Sequence, residues 1–386
     1  MTSSDLHQPG PRPEPAYGAL GAHGSGYPGP YDAPEEAPVT RRSITLGVSL
    51  LVTALLAAGA LVLPAPYAMR SPGPTEDTLG SQGGTPLIQI EGAPTYDSTG
   101  ELRLTTVSVA GGPGFEMTAG QVIQGWLDPQ RSVVPVESVF PEETTKEEQQ
   151  ELSQAEMLSS QEAATAAALT ELGYDVPATL RVAAIEPGSG SEGKVEADDV
   201  VRTFQGEPVS TYAGLIADLA ETTPGSDVVV GVQRDGSDQD LRITTGQGDG
   251  RAVLGLYIDP EYDFPVDVTI QIDDIGGPSA GTMFALGIID RMTREDEANG
   301  AVIAGTGTID VSGEVGPIGG IEQKMYGAVR DGAAWFLAPA SNCESVVGNV
   351  PEGLRVVKVA NLGEARDAVT AIGAGQGDTL PTCTQQ

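Results

Sequence analysis

From Val266 to Arg291 the chain alternates, turns, and then becomes apolar on nearly every side, which fixes much of what can surround it. Val266-Asp267-Val268-Thr269-Ile270-Gln271-Ile272 carries an apolar residue at every second position, the period of a half-buried strand. Ala280 to Arg291 (AGTMFALGIIDR) contains no proline and predicts a buried helix. Asp273-Asp274-Ile275-Gly276-Gly277-Pro278-Ser279 joins the two. A serine at such a corner lies beside the unpaired N–H groups and positive end of a helix, which favour negative charge. An acyl-transfer nucleophile requires that setting, because an oxyanion forms next to it.

Gly277-Pro278-Ser279-Ala280-Gly281 also fits the G-x-S-x-G elbow of Ser-His-Asp hydrolases. The only histidines, His7 and His23, lie in a proline-rich stretch ahead of an apolar span, so neither can serve a site beyond it. Their absence elsewhere also excludes H-E-x-x-H chemistry and most zinc sites. Lysine is the attested alternative base for a serine. Lys146 falls at a solvated helix start, Lys194 in a Gly/Ser loop, and Lys358 out of phase with the apolar positions of Leu354 to Val359. Lys324 follows the glycine-rich run Val311 to Gln323 and falls on the first turn of a helix predicted over Ile321 to Arg330. A helix N-terminus and an apolar pocket both disfavour ammonium, so this amine is the candidate base.

These residues resemble the Lon-type serine peptidases, which use a Ser-Lys dyad. Gly277-Pro278-Ser279-Ala280-Gly281 is similar to the family's nucleophile motif. Thr306-Gly307-Thr308-Ile309, Gly313, Pro317-Ile318-Gly319-Gly320 and Lys324 are similar to its second block. The resemblance implies catalysis by Ser279 and Lys324, with Thr306 supporting the lysine and no metal, nucleotide or other cofactor. Asp274-Ile275-Gly276 departs from the family's Lys-Asp-Gly. Ring-shaped homo-oligomers are a further expectation of the family.

The formal charge is −34, and residues 1–70 hold five acids against four bases, so the remainder carries almost all of it. Such a surface argues against nucleic acid and anionic lipid as partners. Residues 1–42 read as a disordered cytoplasmic tail rich in Pro, Gly and Tyr. Behind Arg41-Arg42, residues 43–63 carry no charge and are long enough for a transmembrane helix, with the arginines setting the N-terminal side in the cytoplasm. A signal cleaved after Ala68, or a twin-arginine export signal, is the alternative, disfavoured by the long leader and by the poor fit of Pro66-Tyr67-Ala68 to A-x-A.

Residues 71–171 read as linker, strands and a connecting helix: a linker from Ser71 to Gly84, strands at Leu87 to Glu91 and Glu101 to Val109, and a helix reaching Leu172. Thr145-Lys146-Glu147-Glu148 predicts its capping box and Gly173 its C-terminal stop. Leu152, Ala155, Leu158, Ala163, Ala166, Ala167 and Leu169 predict its packed face, and the helix reads as scaffold between membrane and catalytic module. Residues 172–246 predict a β-rich unit whose element order resembles a PDZ domain, with Leu172-Gly173-Tyr174 in the place of the carboxylate-binding loop. In that family a peptide adds as a strand between the loop and the amphipathic helix, here Thr211 to Thr222. Asp198-Asp199 stands where the family has Gly-Asp. Gly188 to Val195 (GSGSEGKV) misses a P-loop at its final hydroxyl, and no ATPase module is read.

Residues 250–373 make the Lon-type proteolytic domain and 374–386 a tail. Cys343 and Cys383 predict a disulfide tethering that tail. The expectation is therefore an α+β chain: an N-terminal transmembrane helix, a PDZ-like β-rich domain and a mixed α/β Lon-type proteolytic domain. It would cleave extracytoplasmic or membrane-associated polypeptides, the alternative being a catalytically silent peptide-binding adaptor.

Overall fold

Behind the twin arginines the uncharged run is helical: α1 spans Arg41–Leu61. At 1.5 Å per residue its 21 residues cover roughly 30 Å, the hydrocarbon thickness of a bilayer. The computed structural model describes residues 40–112, 114–140, 145–248, 251–273 and 275–384. Most of the stretch read as a disordered tail, and Asp274, lie outside the described residues. Residues 1–57 form one unit and 58–386 another.

In the second unit the main strands are β1 (Tyr67–Asp77), β2 (Ile88–Glu91), β3 (Glu101–Ala110), β4 (Ser132–Pro135), β5 (Ala178–Ile185), β6 (Val200–Phe204) and β7 (Asp227–Arg234). They continue with β8 (Ser237–Thr244), β9 (Leu256–Tyr262), β10 (Asp267–Ile270), β11 (Val302–Gly305), β12 (Trp335–Pro339) and β13 (Arg355–Val359). The helices used below are α2 (Ala119–Trp126), α3 (Lys146–Glu171), α4 (Tyr212–Glu221), α5 (Gly281–Met292), α6 (Ile321–Arg330) and α7 (Leu362–Gly373).

The larger sheet has six strands in the order β13-β12-β11-β3-β1-β4. Its β13, β12, β11 and β3 run parallel, while β1 and β4 are antiparallel additions. Parallel strands are covered on both faces, which is why β12 (WFLAP) shows no polar alternation. On one face α5 packs Met283, Phe284 and Ile288 among Leu102, Leu104, Ile303 and Leu337, with Ala164 and Ala168 of α3 and Ala365 and Val369 of α7 in the same core. On the other, α6 sets Ile321, Met325 and Ala328 against Phe336 and Ala338. The all-round apolarity of α5 follows, since every residue from Gly281 to Asp290 is buried.

Two expectations about the N-terminal half are corrected. The stretch read as a linker from Ser71 is strand β1, paired with β3 along Met69 to Asp77. Its prolines hid it. Pro72 marks the start of a register shift that resumes at Thr75, and β4 pairs only Tyr67 to Arg70, so the missing N–H groups leave no broken bond on that side. The helix read as scaffold, α3, packs on α5. Its capping box and its stop at Gly173 are as expected, but Leu152 and Leu158 are exposed at 55% and 62% and Ala155 is exposed with them, while Met157, Ser160, Ala164 and Ala168 face inward.

The smaller sheet runs β8-β7-β6-β5-β9, antiparallel throughout, with Glu207–Pro208 pairing on β6. Leu215 and Leu219 of α4 close its core over Leu180, Val182 and Val230. Asp198 adopts a left-handed φ of 71°, which explains why a glycine is expected there. The neighbouring Asp199 is buried and accepts two hydrogen bonds from the Arg234 guanidinium, both 2.7 Å. Strand β9, counted in sequence with the catalytic region, belongs to this sheet: its alternating half-buried pattern lets it pair along the whole of β5. The small sheet is thus an insertion between α3 and β10, both of which belong to the larger assembly.

Candidate active site

Ser279 lies at the corner that leads into α5, whose N-cap is Ala280. Lys324 comes from the first turn of α6, whose N-cap, Gly320, has a φ of 68°. A Cβ at Gly320 would meet Val107 Cγ2 of β3 at 2.8 Å, so the glycine sets how closely α6 can approach the sheet. Thr306 follows β11 directly and its backbone N–H donates to Leu337 O at 3.2 Å. Three separate elements thus deliver three side chains to one point.

Lys324 Nζ stands 2.7 Å from Ser279 Oγ and 2.8 Å from Thr306 Oγ1. Lysine and threonine are 2% and 0% exposed, whereas the serine is half-buried and reaches outward. The Thr306 hydroxyl donates its proton to Ser279 O at 3.0 Å, leaving its lone pairs for a lysine N–H. That arrangement occupies one N–H of a neutral amine and leaves the nitrogen lone pair free to face the serine hydroxyl. Burial pushes the Lys324 ammonium down to about 7. Lys146 and Lys194 are exposed and Lys358 half-buried, and among the described residues Lys324 is the lysine bonded to the serine.

The corner itself is held by α3. Ser160 Oγ donates to Pro278 O at 2.9 Å, and Gly277 N–H donates to Ser153 O at 2.9 Å. A Cβ at Gly276 would lie 2.2 Å from Ser153 Oγ, so α3 touches the corner along its length. Sequence reasoning missed Ser153 and Ser160. Their only signal was two small polar residues a helical repeat of seven apart on an otherwise alanine-rich face.

A cleft of about 1790 Å³ opens beside this corner, with Gly276 on its wall. Val109, Met157, Leu158, Ile270 and Ile272 supply apolar lining, and Gln154 and Gln161 polar groups. Its size suits an extended peptide rather than a small metabolite.

Leu172, Gly173 and Tyr174 do not form the peptide-binding loop expected of them. Leu172 N–H donates to Ala168 O at 3.1 Å, Gly173 N–H to Thr170 O at 2.9 Å and Tyr174 N–H to Leu169 O at 2.9 Å. With φ of 83° at Gly173 this is a Schellman stop for α3, and the N–H groups a carboxylate would need are taken. The strand position beside β5 is also filled, because β9 pairs with it from Leu256↔Ile185 to Tyr262↔Ala178. Cys343 and Cys383 are joined by a disulfide, with Cα atoms 5.1 Å apart.

A model of the Lon protease (S16) C-terminal proteolytic domain matches residues 269–370, and a PDZ domain model matches 156–245. Lon protease of Helicobacter pylori is 34% identical over 122 residues, which is 30% of this chain and 14% of that protein. Lon protease 1 of Bacillus subtilis is 29% identical over 172 residues, 39% of this chain and 22% of that protein. The chain therefore spans less than a quarter of the length of these relatives. Among solved structures, the PDZ domain of an SdrC-like protein from Listeria innocua is similar over 21% of this chain and 92% of its own, at 13% identity and a TM-score of 0.20.

Proposed function

From a chain that carries a Lon-type serine peptidase domain over 269–370 and a PDZ domain over 156–245, we propose a membrane-anchored, ATP-independent serine endopeptidase that acts on polypeptides outside the cytoplasm. The observation that carries this reading is the 2.7 Å approach of Lys324 Nζ to Ser279 Oγ. Neutral Lys324 accepts the hydroxyl proton as Oγ bonds to the scissile carbonyl carbon. The resulting oxyanion forms beside the N-terminal end of α5, whose positive dipole favours it. The C–N bond then breaks, the leaving amine takes the proton from Lys324, and water, activated by the again neutral Lys324, hydrolyses the acyl-enzyme. Thr306 holds the lysine with its lone pair toward the serine.

The cleft walled in part by Gly276, three residues before Ser279, supports an extended polypeptide as substrate. The uncharged run of α1 behind Arg41-Arg42 supports a single span with the catalytic unit outside. The Cys343–Cys383 bond supports an oxidising compartment. A binding-only role draws no support from the PDZ unit, since β5 has neighbours on both sides.

The test is cleavage of a loosely folded polypeptide such as casein by the full chain in detergent. Ser279→Ala and Lys324→Met should each fall to background with unchanged circular dichroism. Retained cleavage in either variant removes the dyad; loss of both in a chain that needs added ATP removes the ATP-independent reading.

A further inference from the structure

Helix α2 leaves Ile123, Trp126 and Leu127 exposed at 45%, 62% and 80%, on a segment (AGQVIQGW) with no charged residue. Their i, i+3, i+4 spacing puts them on one stripe. The opposite side is packed: Val122 and Gly125 are buried, and a Cβ at Gly125 would meet Val133 Cγ2 at 2.7 Å and Met69 Sδ at 3.0 Å. The helix starts where the chain leaves the apolar span. Ala119 N–H donates to Leu63 O at 2.9 Å, and Pro64 and Ala65 pair with Thr118 and Met117. A Cβ at Gly120 would come within 3.6 Å of Leu61 Cβ. Leu61, Val62 and Leu63 are themselves 44%, 68% and 60% exposed. Gly120, Ile123 and Leu127 share a helix side, so the apolar stripe continues directly from the end of the span.

We propose that this stripe lies in the bilayer interface, with the Trp126 ring at headgroup level. The inference rests on α1 crossing the membrane. A crossing by α1 brings residues 61–63 to the headgroups, and α2 begins one hydrogen bond away, so lipid reaches this face before a second copy can. An indole presents an apolar body and one N–H donor, the balance that concentrates tryptophan at interfaces. Apolar burial holds the face there, because a chain of formal charge −34 is repelled by anionic lipid. The face would fix the orientation of the catalytic unit above the bilayer.

The experiment uses the full chain in neutral phosphatidylcholine vesicles, with or without bromine on the acyl carbons nearest the headgroup. The emission difference between the chain and its Trp126→Phe variant isolates this ring without altering Trp335. The expected result is a blue-shifted difference signal in plain vesicles that is lost in brominated ones. Equal emission in both, from a chain that resists alkaline carbonate extraction, overturns the proposal and leaves the anchor in place. Equal emission from a chain that carbonate extracts removes both. Crosslinks between copies at residue 127, with emission unquenched, assign the face to a second subunit and also overturn it.

Discussion

Among the described residues Lys324 has two hydroxyl partners and no carboxylate within bonding distance, and burial is the cause that lowers where it titrates. The folded value of about 7 lies below the ordinary 10.5. Below neutrality the amine is protonated and cannot accept the Ser279 proton. We expect kcat/KM for a fluorogenic peptide to rise about tenfold per pH unit up to near 7 and then to level off. A profile flat through neutrality would contradict a lysine base. The stability sign is opposite to that of an ion-paired lysine. Between about 7 and 10.5 the folded chain binds fewer protons than the unfolded one, so this site's cost to folding shrinks as pH rises. Ser279 and Lys324 were legible in the sequence as candidates because glycines and histidine inventory left few options, whereas Thr306 was reached only through the family resemblance. Ser153 and Ser160 were not, since their role depends on which side of α3 meets the serine corner.

At the level of elements, α3 and α5 form the contact that holds the corner of Ser279, the proposed nucleophile. Gly281, the first residue of α5, sits so close that a Cβ would fall 2.8 Å from Ser160 Oγ and 2.9 Å from Ile309 Cγ2. Gly281→Ala should therefore destabilise the fold by about 1–3 kcal/mol, read as a lower urea midpoint with an unchanged slope. An unchanged midpoint would mean that α3 yields without cost. Strand β1 shows why the element level was only partly readable. Prolines argue against a strand unless its neighbour is missing where they fall, and the short reach of β4 is a tertiary fact. The peptide-binding role assigned to Leu172, Gly173 and Tyr174 fails for a similar reason: the same three residues serve as a helix stop, and only the hydrogen bonds distinguish the uses.

Taken as a whole molecule, the unit beyond residue 57 threads a five-strand path and its α4 between α3 and β10 of a larger three-layer assembly. The tail after α7 is returned to that assembly by Cys343–Cys383, with Lys358 N–H donating to Pro381 O at 2.9 Å. With the cysteines 40 positions apart in sequence, the closed loop should contribute about 2–4 kcal/mol. Reduction under non-denaturing conditions should lower Tm by several degrees while peptide cleavage at room temperature persists, since the hydrogen bonds joining Ser279, Lys324 and Thr306 involve neither cysteine. A Tm indifferent to reductant would show that the tail is held by its other contacts.

By itself the sequence determined what depends on local order along the chain. The apolar span, the buried helix after Ser279, the capping box at Thr145 and the choice of one lysine among four are written in periodicity and inventory. Tertiary structure decided what depends on which surfaces meet. It brought α3 onto the serine corner, β1 into the catalytic sheet and β9 against β5, because strand pairing and helix facing are settled by competing partners far apart in the chain.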